Sequence, residues 1–175
     1  MPGRRGVAKI GAMTTSPLIS PELLYRPAGS GATFWGPGDM YRFLVTGEET
    51  GGAYFAMEAL VPPGGGPPPH IHTREDETFY LLAGKLEFVL GNEVVSAGPG
   101  DFVNVPRGRV HNFHNAGTEV ARLILTFTPA GIERFFEETL ERALDPTQPA
   151  PDNHEAVVAR YDAAAPRYGL QFIGG

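Results

Sequence analysis

Through residues 32–127 short runs rich in β-branched and aromatic residues alternate with Gly- and Pro-containing turns. The pattern predicts strands over Asp39–Thr46, Ala53–Val61, His70–His72, Glu77–Ala83, Lys85–Leu90, Glu93–Ser96, Asp101–Val105, Val110–Asn115 and Glu119–Phe127. Side chains along a strand alternate between faces, so runs this short, spaced this closely, read as a sandwich or barrel. The turns are tight, at Gly84-Lys85, Gly91-Asn92 and Gly98-Pro99-Gly100. No helical segment separates the strands, which argues against a parallel α/β sheet.

The period changes near residue 130. Ile132, Phe135, Phe136, Leu140, Ala143 and Leu144 recur at helical spacing, with Glu133, Glu137, Glu138 and Glu141 on the other face. That predicts an amphipathic helix over 131–144, with Glu138 and Arg142 as a favourable i,i+4 pair. After a Pro-rich linker at 145–151, Asp152 and Glu155 resemble a capping box for a second short helix ending near Pro166. The expected organisation is an N-terminal arm at 1–20, a barrel at 21–128 and a helical extension at 129–175, packed on the barrel.

Composition narrows the function classes. The 175 residues suit one domain, and 42% apolar residues suit a globular one. A net charge of −6 without a basic block disfavours nucleic-acid binding. There is no cysteine, which removes thiolate ligands and disulfides from consideration and suits a reducing compartment. No stretch approaches transmembrane length, and residues 1–15 lack the apolar run of a signal peptide. The expectation is a cytoplasmic protein with no nucleic-acid or membrane partner.

Four of the five histidines lie in two segments, GGGPPPHIHTREDETFYLLAG at 64–84 and GDFVNVPRGRVHNFHN at 100–115. His70 and His72 share a strand face because they are two apart. Glu77 opens the next strand, and His111 follows the Pro106-Arg107-Gly108 turn. Three imidazoles and a carboxylate suit a divalent transition metal: Ni, Co, Mn, Fe, Cu or Zn. His114 has the wrong parity to join His111 and is expected outward, and His154 is expected in solvent. Phe79 and Leu81 share parity with Glu77, and Phe113 and Asn115 share parity with His111. Together with Tyr41, Phe55 and Met57 on preceding strands they are the candidate pocket walls, with ordinary core packing as the alternative for each. Arg107 and Arg109 are expected in a solvated turn, with contact to a substrate anion as the alternative.

The two segments resemble the paired motifs of the cupin superfamily. The first corresponds to Gly64, His70, His72, Glu77 and Gly84, the second to Gly100, Pro106, Gly108, His111 and Asn115. The resemblance covers roughly residues 35–128. It implies an all-β fold, a double-stranded β-helix or jelly-roll barrel with one or two C-terminal helices, and a homodimer. It also implies a metal held by His70, His72, Glu77 and His111. The stretches TGEETGGAYFAMEALVPPGGGPPPHIHTREDE and TPAGIERFFEE look like small single-cupin proteins grouped with bacterial quercetin 2,3-dioxygenases. That narrower likeness implies cleavage by O2 of a flavonol-like or other enolisable aromatic substrate, with Glu77 as the catalytic base. A metal-dependent isomerase or cyclase, or a non-catalytic small-molecule-binding barrel, are the alternatives.

Overall fold

Two antiparallel sheets face each other across an aromatic core in the computed structural model, which describes residues 23–148 and 150–173. The predicted arm at 1–20 lies outside the described residues. In chain order the strands are β1 (Thr33–Trp35), β2 (Met40–Val45), β3 (Phe55–Val61), β4 (His70–His72), β5 (Asp76–Ala83) and β6 (Leu86–Leu90). They continue with β7 (Glu93–Ala97), β8 (Phe102–Val105), β9 (His111–His114) and β10 (Ala121–Thr128). Helix α1 (Glu133–Thr139), β11 (Glu141–Arg142), α2 (His154–Ala164) and β12 (Leu170–Phe172) complete the chain.

The seven-stranded sheet runs β11-β1-β2-β3-β10-β5-β8, and the five-stranded sheet runs β12-β4-β9-β6-β7. This is the double-stranded β-helix, with two helices after the last barrel strand. Alternation is cleanest on β10, where Ala121, Leu123, Leu125 and Phe127 are buried and face inward. The rings of Phe43, Phe55, Phe127 and Phe136 form one end of the core, and those of Phe79, Phe88 and Phe113 form the other. No helix among the described residues is long and apolar enough to cross a membrane.

Several elements depart from the sequence pattern. Strand β1 is too short for alternation to reveal it. The helix expected over 131–144 ends at Thr139, because Leu140 turns extended and Glu141 and Arg142 pair with Trp35 and Phe34. The open edge of β1 takes these residues as a strand, and tertiary pairing outweighs their helical period. Glu138 therefore does not meet Arg142. It binds Arg167 and the Tyr168 hydroxyl, while the Arg142 guanidinium sits 4.9 Å from the Phe34 ring centroid. Helix α2 begins after Asn153 without a side-chain cap and passes into a 3-10 turn through Pro166. Beyond Gly169 the chain forms β12, which no local periodicity announces.

Strand β12 matters to the site. It pairs Leu170 with His72 and Phe172 with His70, closing the free edge of β4. Its approach is tight: a Cβ at Gly169, whose φ is +74°, would meet the Thr73 hydroxyl oxygen at 2.6 Å.

Candidate metal centre

His70 and His72 point into the barrel from β4, and His111 stands directly across from His70 on β9. Glu77 comes from the opposite sheet, between Phe127 of β10 and Val105 of β8. One ligand atom from each of these four buried residues lies within 4.8 Å of all the others. Donors held at about 2.0–2.2 Å from a shared ion lie at most about 4.4 Å apart, so a small inward adjustment accommodates one. The donor chemistry and the burial fit a divalent transition metal.

Backbone carbonyls set the imidazoles. The Nδ1 atom of His70 lies 2.9 Å from the Pro68 oxygen, and Nδ1 of His111 lies 3.1 Å from the Arg109 oxygen. Protons at Nδ1 satisfy these carbonyls and leave Nε2 as the inward donor. Burial, opposed by the Glu77 charge, pulls His70 down to about 4, which favours its neutral, metal-binding form. Glu77 Oε2 lies 2.9 Å from His111 Nε2 and 3.3 Å from His72 Nε2. Burial would raise the Glu77 carboxyl, but the histidine charges and hydrogen bonds outweigh it and hold the group well below the usual range. The same pairing holds His111 above its ordinary value despite its burial.

The loop before β9 is pinned at two points. The Gly108 N–H donates to the His72 carbonyl at 2.7 Å. Arg107 grips Asp76 through its backbone N–H and Nε at 2.9 Å and Nη2 at 3.1 Å, which pulls the Asp76 carboxyl down to about 2. Arg107 thus serves as a clamp between the two motif segments. His114 lies half exposed beside Glu87, and His154 is exposed at the start of α2.

The cavity lined by His70, His72 and Glu77 is small, about 50 Å³, and its other walls are mostly apolar. Of the expected pocket residues, Tyr41, Met57 and Phe113 line it. Phe55, Phe79, Leu81 and Asn115 do not. Phe55 is covered by the rings of Phe43 and Phe127, while Phe79 and Leu81 lie farther along β5, with Phe79 against Phe88 and Phe113. The Asn115 amide ties the Val61 and Glu119 carbonyls at 2.8 Å each. Sharing a face with a ligand places a side chain inside the barrel, but its height along the strand decides whether it reaches the cavity.

The remaining walls were not legible beforehand. Leu125 and Phe127 come from β10, Phe135 and Phe136 from α1, and Tyr161, Leu170 and Phe172 from the C-terminal segment. Alternation marks the β10 pair as inward; only the three-dimensional packing sets them beside the donors.

Glu75 is a further residue that spacing does not reveal. It is buried, and its Oε2 lies 3.8 Å from Nδ1 of His72, with neither atom hydrogen-bonded. A carboxylate behind a ligating imidazole fixes its tautomer and raises its basicity. Glu75→Gln is expected to weaken divalent-metal affinity about 10–100-fold with the barrel still folded, as read by competition against a chromophoric chelator. Unchanged affinity would remove Glu75 from the site.

Comparison with known proteins accords with this geometry. Residues 57–127 match the family model described as Cupin domain. That stretch of the chain is similar to a cupin domain. It is 26% identical over 97 residues to quercetin 2,3-dioxygenase of Bacillus subtilis (strain 168), covering 55% of this chain and 28% of that protein. It is 33% identical over 117 residues to quercetin 2,3-dioxygenase of Aspergillus japonicus, covering 62% of this chain and 33% of that protein. The matches thus span about a third or less of those relatives' length. Among solved structures, KdgF from Halomonas sp. superposes with a TM-score of 0.56 at 19% identity, over 65% of this chain and 98% of that one. That likeness concerns the fold alone. The matched stretch takes in His70, His72, Glu77 and His111, and the helices and β12 that close the cavity follow it.

Proposed function

We propose that this cupin is a metal-dependent dioxygenase cleaving a flavonol-like or other enolisable aromatic substrate with O2. The observation that carries the reading is a buried set of three imidazoles and one carboxylate, of which His70, His72 and Glu77 line a mostly apolar cavity. The matches to two quercetin 2,3-dioxygenases support the choice of chemistry.

His70, His72 and His111 would hold the metal, with Glu77 as a carboxylate ligand that also meets the substrate hydroxyl. A bound metal supplies Lewis acidity towards that hydroxyl and a meeting point for the substrate and O2. The role of Glu77 would be to take the hydroxyl proton onto a carboxylate oxygen, since it lines the cavity among the imidazoles. The resulting enolate is the electron-rich partner of O2, and both oxygen atoms end in the ring-opened product, so no external reductant is needed. Met57, Phe127 and Phe136 keep water from the reacting edge. We extend the proposal to a homodimer, as the family resemblance implies, and to a cytoplasmic location, which the cysteine-free composition suits.

The test is oxygen uptake by protein purified without chelator and reconstituted in turn with Ni, Co, Mn and Fe, using a panel of flavonols and quantified metal. Substrate-dependent uptake is expected. In Glu77→Gln the rate should fall about 10²–10⁴-fold while more metal is retained than in His70→Ala. Full activity in Glu77→Gln would end the base role. Filled metal sites without uptake would overturn the dioxygenase reading in favour of a redox-neutral or binding role.

A further inference from the structure

Across a shared wall, a second cavity adjoins the metal-side cavity. Tyr41, Pro67, Tyr161 and Phe172 line it and also line an outer cavity of about 580 Å³. The outer space lies against the Pro67–Pro69 run, α2 and the end of β12. It falls within the roughly 300–1,000 Å³ of small-molecule sites, whereas the inner space has room only for the reacting edge of a ring system. The two volumes together suit a molecule whose enol end enters and whose body stays outside.

In the wall of the outer cavity, beside the shared residue Tyr41, stands a polar group that the metal chemistry does not use. Asp39 is only 4% exposed and lines the outer cavity. Its Oδ2 accepts the Tyr41 hydroxyl at 2.9 Å, while its Oδ1 is buried without a hydrogen-bond partner. The Tyr161 hydroxyl, on the shared wall, is likewise buried and unpartnered. A Cβ at Gly65 would come within 2.9 Å of Asp39 Oδ1, so any larger residue there would crowd that oxygen. Burial pushes the Asp39 carboxyl up to about 6, and burial together with the Asp39 charge pushes the Tyr161 hydroxyl up. A buried acceptor with no donor is costly to maintain, and a ligand hydroxyl would remove the cost.

We propose that Asp39, positioned by Tyr41 and joined by Tyr161, recognises a hydroxyl group on the part of the substrate that occupies the outer cavity. The inference rests on the aromatic-substrate reading above and narrows it to hydroxylated ring systems. Asp39 Oδ1 accepts the hydroxyl proton in a hydrogen bond, and the Tyr161 hydroxyl serves as a second partner. Asp162 and His154 complete the ionisable lining of the outer cavity. Two carboxylates against one imidazole favour a neutral ligand over an anion.

The test compares quercetin with 3-hydroxyflavone, which keeps the enol end and lacks the outer hydroxyls. Calorimetric binding to the full chain, with its metal content measured, is the readout. Wild-type protein should bind quercetin about tenfold tighter or more, as expected of a hydrogen bond to a charged group. In Asp39→Asn the amide oxygen goes to the Tyr41 hydroxyl and the NH2 faces the ligand, so the preference should collapse towards unity with 3-hydroxyflavone binding retained. Tyr161→Phe, which preserves shape, should reduce the preference by a smaller factor. Equal binding of the two flavonols by wild-type protein, or an undiminished preference in Asp39→Asn, overturns the role of Asp39 and leaves the dioxygenase reading standing. No binding of either flavonol with the metal site filled overturns both.

Discussion

His111→Ala is expected to abolish stoichiometric binding of a divalent metal while the barrel remains folded. His111 is 1% exposed and stands opposite His70, so no other imidazole among the described residues can take its place. Its loss removes one of four donors and also leaves the Glu77 carboxylate without its 2.9 Å partner. The loss in affinity should therefore exceed the roughly 10–100-fold cost of removing an outer-shell partner. The check is metal analysis after dialysis, with circular dichroism as the folding control. His70→Ala should behave alike. Full occupancy in both variants would mean that the cluster is a packed histidine core rather than a metal site.

Gly66→Ala is expected to destabilise the protein by about 3 kcal/mol or more. Gly66 has φ +137°, where side chains are strained, and a Cβ there would lie 2.1 Å from the Phe113 carbonyl oxygen and 3.0 Å from the His114 Cα. Both obstacles are backbone atoms of β9, so relief requires the segment leading to Pro67–Pro69 to move away from that strand. That segment delivers His70 to its place opposite His111, so metal binding should weaken with stability. Gly64→Ala provides the contrast: φ is +76° but nothing lies within 4 Å of the added carbon. It should cost only the backbone strain, about 1 kcal/mol. Denaturant unfolding of the two variants separates the terms, and equal losses would show that close approach to β9 is not what requires a glycine at 66.

The differences between pattern and structure have a common origin. Strands β4 and β10 carry alternation or a parity pair of histidines, and their turn residues are local, so their existence and inward faces are legible from the chain. The residues of β11 and β12 carry no such signal. Glu141 and Arg142 continue a helical period until the edge of β1 takes them, and Leu170–Phe172 is strand only because β4 offers an unpaired edge. Phe79 and Leu81 show the same limit within a correctly placed strand: their face follows from parity, whereas their distance from the donors depends on how β5 crosses the barrel.

By itself the sequence determined the strand rhythm, the turns that end each strand, and which four side chains could hold a metal ion. Those features depend on side-chain alternation and on turn residues separated by a few positions, which any reader of the chain can count. The tertiary structure alone decided that donors from two sheets converge within 4.8 Å, that Glu75 stands behind His72, and that Asp39 and Tyr161 line an outer cavity adjoining the metal side. These arise from long-range strand pairing and from helices laid over the barrel mouth, where each contact is set by packing between segments remote in sequence.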